Sequence, residues 1–205
     1  MKRLVLLIGA LFSYGLAAET FQANAQYCLV CHGSNAQGNA AIQAPNLTVL
    51  PEWYLQAQLH SFQAGWRGDH AKDNYSKEMM AVAKSMEPKD VDMALAFIKG
   101  LQPVAAVAET SGDIAKGRSL YQSCQSCHGA EAQGNETMKA PPLAGQHAWY
   151  LSRQLESFRA GERGVNAADQ QGALMRQMAL GLSSSQDVQD VVAYISSINQ
   201  QKDNQ

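Results

Sequence analysis

The sequence predicts an all-α protein built from two small helical domains in tandem. Three observations carry this. At a shift of 96 residues the chain repeats itself, with 22 of 41 positions identical between 28–68 and 124–164. Apolar residues recur at helical spacing in both copies, and no comparable stretch alternates with period two. The 205 residues are 46% apolar and 17% charged, an ordinary globular composition with length for one large domain or two small ones.

Taken in order, the first element is an export signal. Lys2 and Arg3 precede 13 mostly apolar residues, Leu4 to Leu16, followed by small residues at Ala17 and Ala18. At about 1.5 Å per residue, 13 residues cannot cross a hydrocarbon core of about 30 Å. Residues 1–18 are therefore read as a signal peptide cleaved near Ala17 or Ala18, which exports the mature protein to a compartment where disulfides can form. Cleavage removes Lys2 and Arg3 but no acid, so the net charge falls from −2 to −4. That balance argues against a nucleic-acid partner. The N-terminal domain is assigned to 19–102 and the C-terminal domain to 113–205. Between them, 103–112 is small, weakly polar and turn-prone, and reads as a linker.

Within the domains, Leu55, Leu59 and Phe62 recur as Leu151, Leu155 and Phe158, one apolar face of a helix. Val91, Ala94, Leu95 and Ile98 form a second face, repeated by Val188, Val191, Val192 and Ile195. This last pair is offset by 97, so the second copy carries one extra residue between Met175 and Val188, most simply in Ser183–Ser185. Each half, at roughly 90 residues with few long aliphatic side chains, is marginal on its own core. A large apolar cofactor would relieve that shortage.

The chemistry lies in Cys28-Leu29-Val30-Cys31-His32 and Cys124-Gln125-Ser126-Cys127-His128, two copies of the c-type haem attachment motif. Two thiols about one helical turn apart can add to the two vinyl groups on one porphyrin edge. The adjacent His is carried beneath the ring, where its imidazole can bind iron. A thioredoxin-type redox pair needs no His directly after it, twice. Zinc knuckles usually set their cysteine pairs tens of residues apart, not 96. Met is the usual sixth ligand in electron-carrying cytochromes and raises their potential. Of eight Met, the repeat selects one pair, Met79 and Met175, each 47 residues after its His. Met80 aligns with Arg176, Met86 with Leu182 and Met93 with Gln189. The metal ligands are therefore His32 with Met79 and His128 with Met175. His60, His70 and His147 do not repeat and read as surface or loop residues.

Other repeated residues leave two roles open. Pro45 and Pro141, each 13 residues after the His, can offer a carbonyl to its Nδ1–H or simply make a turn. Trp53, Tyr54, Trp149 and Tyr150 can reach haem propionates or serve as core aromatics. Arg67 and Arg163 can pair with propionates, although a solvated surface Arg is the commoner outcome.

With these residues placed, the chain resembles the di-haem class I c-type cytochromes of the cytochrome c4 family. The resemblance spans essentially the whole mature chain. Besides the two haem motifs it is carried by Pro141 to Gln146, Gln154-Leu155 to Arg163, and Met175 seven residues before Leu182-Ser183. It implies two cytochrome c domains, each wrapped around one covalently bound haem c, and no enzymatic activity. It also implies a periplasmic electron carrier with redox-protein partners: a quinol–cytochrome c reductase or a dehydrogenase as donor, and a terminal oxidase or reductase as acceptor. Peripheral association with a membrane is implied as well. The rivals are a tightly bound electron-transfer subunit of a dehydrogenase or membrane complex, and a di-haem enzyme such as a peroxidase. The enzyme needs an open or displaceable ligand position, which the matched Met pair argues against. The first half departs from the pattern at Asn46 to Pro51 and at Met86-Glu87.

Overall fold

The computed structural model describes residues 27–107 and 111–202. The signal peptide assigned to 1–18 lies outside them.

Nine of the described segments are α-helical, and they fall into two similar sets. The first set opens with α1 (27–32), the haem motif itself. It continues with α2 (Glu52–Gln63), α3 (Asn74–Ser85) and α4 (Pro88–Lys99). In the second set, α5 (Ile114–Tyr121) leads into α6 (Gln125–His128), then α7 (Ala148–Arg159), α8 (Gln170–Ala179) and α9 (Ser185–Lys202). By the 96-residue shift, α5 corresponds to 18–25, which lie outside the described residues. Among the described residues extended pairing is confined to two isolated bridges, Asn39 with Ala44 and Asn135 with Ala140.

Local chemistry sets the helix ends. Asp113 caps α5 by accepting from the amides of Ala115 and Lys116 at 2.9 and 3.0 Å. Asp73 and its repeat mate Asp169 cap α3 and α8 in the same way, through Ser76 and Gly172. Glu87 and Asp90 form a reciprocal capping box with Pro88 in the first turn of α4. The extra residue of the second copy falls between α8 and α9: only Met86 and Glu87 separate α3 from α4, whereas 180–184 separate α8 from α9.

The apolar faces expected from spacing are the ones that pack. Val188, Val191, Val192 and Ile195 are all buried and meet Tyr121, Leu151 and Leu182 in the core of the second set. In the first set Ala94, Leu95, Ile98 and Phe62 are buried. α5 crosses α9 at close range: a Cβ on Gly117 would overlap the Asp190 carbonyl oxygen. Lys116 closes the crossing by pairing with Asp187 at 2.6 Å and Asp190 at 3.0 Å.

The described part of the stretch between the sets, 103–107, has no helix, yet it is tied to both. Asn46 Nδ2 donates to the Val104 carbonyl at 2.6 Å, and the Val104 backbone amide donates to Thr48 Oγ1 at 3.1 Å. The Ala106 amide donates to the Gly145 carbonyl at 2.9 Å.

Candidate haem sites

Each His is presented by a turn that the sequence repeats. Gly33 (φ 88°) and Gly129 (φ 82°) follow the haem His in the left-handed region, which ends the helix without strain. The chain folds back so that Gly38 and Gly134 donate to the carbonyls of His32 and His128 at 2.7 and 2.8 Å. The two isolated bridges then bring Pro45 and Pro141 beneath the imidazoles. His32 Nδ1 donates to the Pro45 carbonyl at 2.8 Å, and His128 Nδ1 to that of Pro141, also at 2.8 Å. This bond fixes the ring and leaves Nε2 as the donor atom for a metal. Both rings are buried, at 6% exposure. Burial pushes both imidazole pKa values down, and the Pro carbonyls only partly oppose it, so the neutral, ligating form is favoured. Burial also pushes the Cys28 and Cys124 thiols up.

In the second set, Cys124, Cys127, His128 and Met175 line a single apolar cleft with about 1380 Å³ of space, mouth included. Leu143, Leu151, Leu155, Phe158, Leu182 and Ile195 supply most of its wall. Two thiols, an imidazole and a thioether around an apolar slot suit a covalently held haem. In the first set, Met79 lies half-buried on α3, the helix equivalent to the one that carries Met175. The Cβ of its neighbour Met80 lies over Gly68, where an added Cβ would meet it, just as one on Gly164 would meet the Arg176 Cβ. Met80 and Arg176 are thus equivalent in space as well as in sequence.

Other residues land away from expectation. Arg67 and Arg163 are buried, at 6% and 7% exposure, and are not solvated surface arginines. Each follows a Gly with φ of 71°, and its amide donates back to Ser61 or Ser157, which turns the side chain inward. Each guanidinium then stacks on a Phe ring at 4.5 Å, Phe62 and Phe158 respectively. The repeated Gly-x-Arg-Gly was the available signal for this. The aromatics divide by type. Tyr54 and Tyr150 line the second cleft, whereas Trp149 stacks on His147 and Trp53 lies under Lys139. His147 sits in the loop just before α7, and its Nε2 donates to the Gln37 carbonyl at 2.7 Å, bridging the two sets. His60 packs against Trp66, and His70 accepts from the Lys72 amide. The four Cys form no disulfide, and among the described residues no group of three or more His, Cys, Asp or Glu comes together as a metal-ion site, as the zinc alternative requires.

A family model for cytochrome c matches the chain twice, over residues 17–102 and 114–199. The chain belongs to the cytochrome c family. Among its relatives, cytochrome c4 of Pseudomonas aeruginosa is 30% identical, over 97% of this chain and 99% of that protein. A thiosulfate dehydrogenase electron acceptor of Thiomonas intermedia is 32% identical, over 87% and 82%. The crystal structure of reduced cytochrome c4 from Pseudomonas stutzeri superposes with a TM-score of 0.68 at 27% identity, covering 87% of this chain and 97% of that one. The two helical sets are tandem cytochrome c domains of the di-haem class I type. They carry two haem c groups, bound covalently through Cys28 with Cys31 and Cys124 with Cys127. The protein transfers electrons and is not an enzyme.

Proposed function

We propose that this cytochrome is a periplasmic shuttle, taking electrons from a quinol-oxidising complex or a dehydrogenase and passing them to a terminal oxidase or reductase. The observation that carries it is the pair of matched ligand sets, His32 with Met79 and His128 with Met175. In this reading all four are axial iron ligands. A haem with both axial positions filled exchanges electrons without opening a site for a substrate. The chain's part is to hold geometry. Pro45 and Pro141 fix the imidazoles, and the Met-bearing helices are closed at their C-terminal ends by repeat mates. Gln63 donates to the carbonyls of Ala83 and Met86 at 3.1 and 3.2 Å, and Arg159 to that of Leu182 at 2.9 Å. Apolar walls exclude water, so little rearranges when the charge on iron changes. The division into 19–102, a linker at 103–112, and 113–205 belongs to this proposal, as does export by residues 1–18. Among the described residues no helix is long and apolar enough to cross a membrane.

The relatives support a second donor class. Two bear the name thiosulfate dehydrogenase electron acceptor. A thiosulfate dehydrogenase structure from Marichromatium purpuratum superposes with a TM-score of 0.68 at 26% identity, over 86% of this chain and 40% of that one. Electrons from a periplasmic dehydrogenase are the alternative to electrons from quinol.

The test is rapid mixing of the purified oxidised protein with quinol-fed membranes and, separately, with a thiosulfate-fed dehydrogenase. Fast reduction by membranes, followed by reoxidation on oxidase-containing membranes, is the expected result. Reduction by neither donor overturns the shuttle reading.

A further inference from the structure

Arg67 and Arg163 meet where the two domains touch, and their bonds cross the boundary. Gln58 Oε1 accepts from Arg67 at 2.8 Å and from Arg163 at 2.7 Å. Gln154 Oε1 accepts from Arg67 at 3.0 Å and also, closely, from Arg163. Each amide oxygen thus serves both guanidiniums, and the arrangement has a near two-fold symmetry inherited from the repeat. The Arg67 guanidinium also donates to the Tyr150 hydroxyl at 3.2 Å.

Every one of these partners is neutral. Among the described residues no carboxylate lies within ion-pair distance of either arginine, and the Nε of both is buried without a partner. Asp73, the acid that Arg67 feels, is engaged in capping α3. Burying a cation without an anion costs several kcal/mol. Here two are buried side by side, with Arg153 close enough to raise the positive potential further. That potential shows in Tyr150: burial pushes its hydroxyl pKa up, yet Arg67, Arg163 and Arg153 together hold it below the usual tyrosine value. The cluster is built for anions. Both arginines line the second-domain cleft, Arg67 among them although it belongs to the first domain.

We propose that Arg67 and Arg163 form one anion site shared by the two domains, which takes haem carboxylates from both sides and sets the potential of both haems together. This rests on the two-haem reading and adds to it a cross-domain role. A buried positive charge favours the reduced state of any haem near it. Arg67, held by Gln154 and Tyr150, is placed to favour reduction of the second-domain haem as well as its own.

The experiment is an NMR-monitored redox titration of the holoprotein, with each haem's ring methyls assigned through contacts to its own domain. In Arg67→Gln the reduction equilibrium of both haems should shift towards oxidised, by roughly tenfold, about 59 mV for a one-electron couple. Arg67→Lys keeps the charge but not the fork, and should shift both haems the same way by less. This second variant carries the test if Arg67→Gln fails to assemble. A shift confined to the first-domain haem, or no shift with both haems bound, overturns the shared site. Failure of the underlying two-haem reading looks different: the wild-type protein itself would lack two reversible haem waves.

Discussion

At the residue scale, the adjacent pair Met79-Met80 gives the sharpest choice. Adjacent helical residues point about 100° apart, so one alone can face the iron. The repeat selects Met79, and the structure sets the Met80 Cβ over Gly68, as it sets the Arg176 Cβ over Gly164 in the other copy. Met79→Ala should therefore remove half of the far-red iron–sulfur charge-transfer band and lower the potential of one haem. Met80→Ala should leave the band intact and cost packing alone, roughly 1–3 kcal/mol. Met175→Ala should remove the other half. An oxidised spectrum of each variant decides, and a band lost in Met80→Ala instead would break the 96-residue register at the first haem.

At the scale of elements, the α5–α9 crossing carries the second domain. Gly117→Ala would drive a methyl into the α9 backbone at Asp190, and overpacking of this kind costs about 1–3 kcal/mol. Chemical denaturation should show the midpoint falling. The same crossing sets an acid limit. Hydrogen bonds from Gln186, the Asp113 amide and Lys116 hold the Asp190 carboxyl down at about 2. A lowered folded pKa gives stability that is complete above the unfolded value, near 3.9, and is lost as the pH falls through the folded one. The melting temperature should drop as the pH falls from about 4 towards 2. Asp190→Asn should melt lower than wild type at neutral pH, and the gap should narrow in acid. A gap that stays constant down to pH 2 would show that the carboxylate charge contributes nothing there.

For the whole molecule, the domains are joined by buried polar bonds as well as by chain. Asn46 and Gln146 bond reciprocally: the Asn46 amide N–H donates to Gln146 Oε1 at 3.0 Å, and Gln146 Nε2 donates to the Asn46 carbonyl at 2.8 Å. Both residues are buried, at 0% and 3% exposure. Gln146→Leu would strand two donors, the Asn46 and His147 amides, and one acceptor, the Asn46 carbonyl, at a cost of about 1–3 kcal/mol for each group left buried and unsatisfied. Calorimetry should show one cooperative melt in the wild type and a first domain that melts earlier in the variant. An unchanged single transition would mean that these bonds do not hold the domains together.

By itself the sequence determined what depends on short spacing, the two haem motifs and the amphipathic faces, while the 96-residue repeat set Met79 opposite Met175 in register. One helical turn decides whether two thiols can meet one porphyrin edge, and period 3.6 decides which side chains share a face. The repeat then extended each assignment from one copy to the other. The domain boundary was decided by tertiary structure. Asn46, a departure from the second copy's pattern, became a buried anchor, and His147, which has no repeat mate, became a bridge to Gln37. Arg67 and Arg163 look like surface residues in a linear reading, because an arginine beside glycines is usually solvated. Their burial requires a partner surface 87 to 105 positions away along the chain. Local spacing encodes which face a helix presents. What that face meets depends on how two copies dock, and the energy of that docking resides in contacts that no stretch of sequence contains.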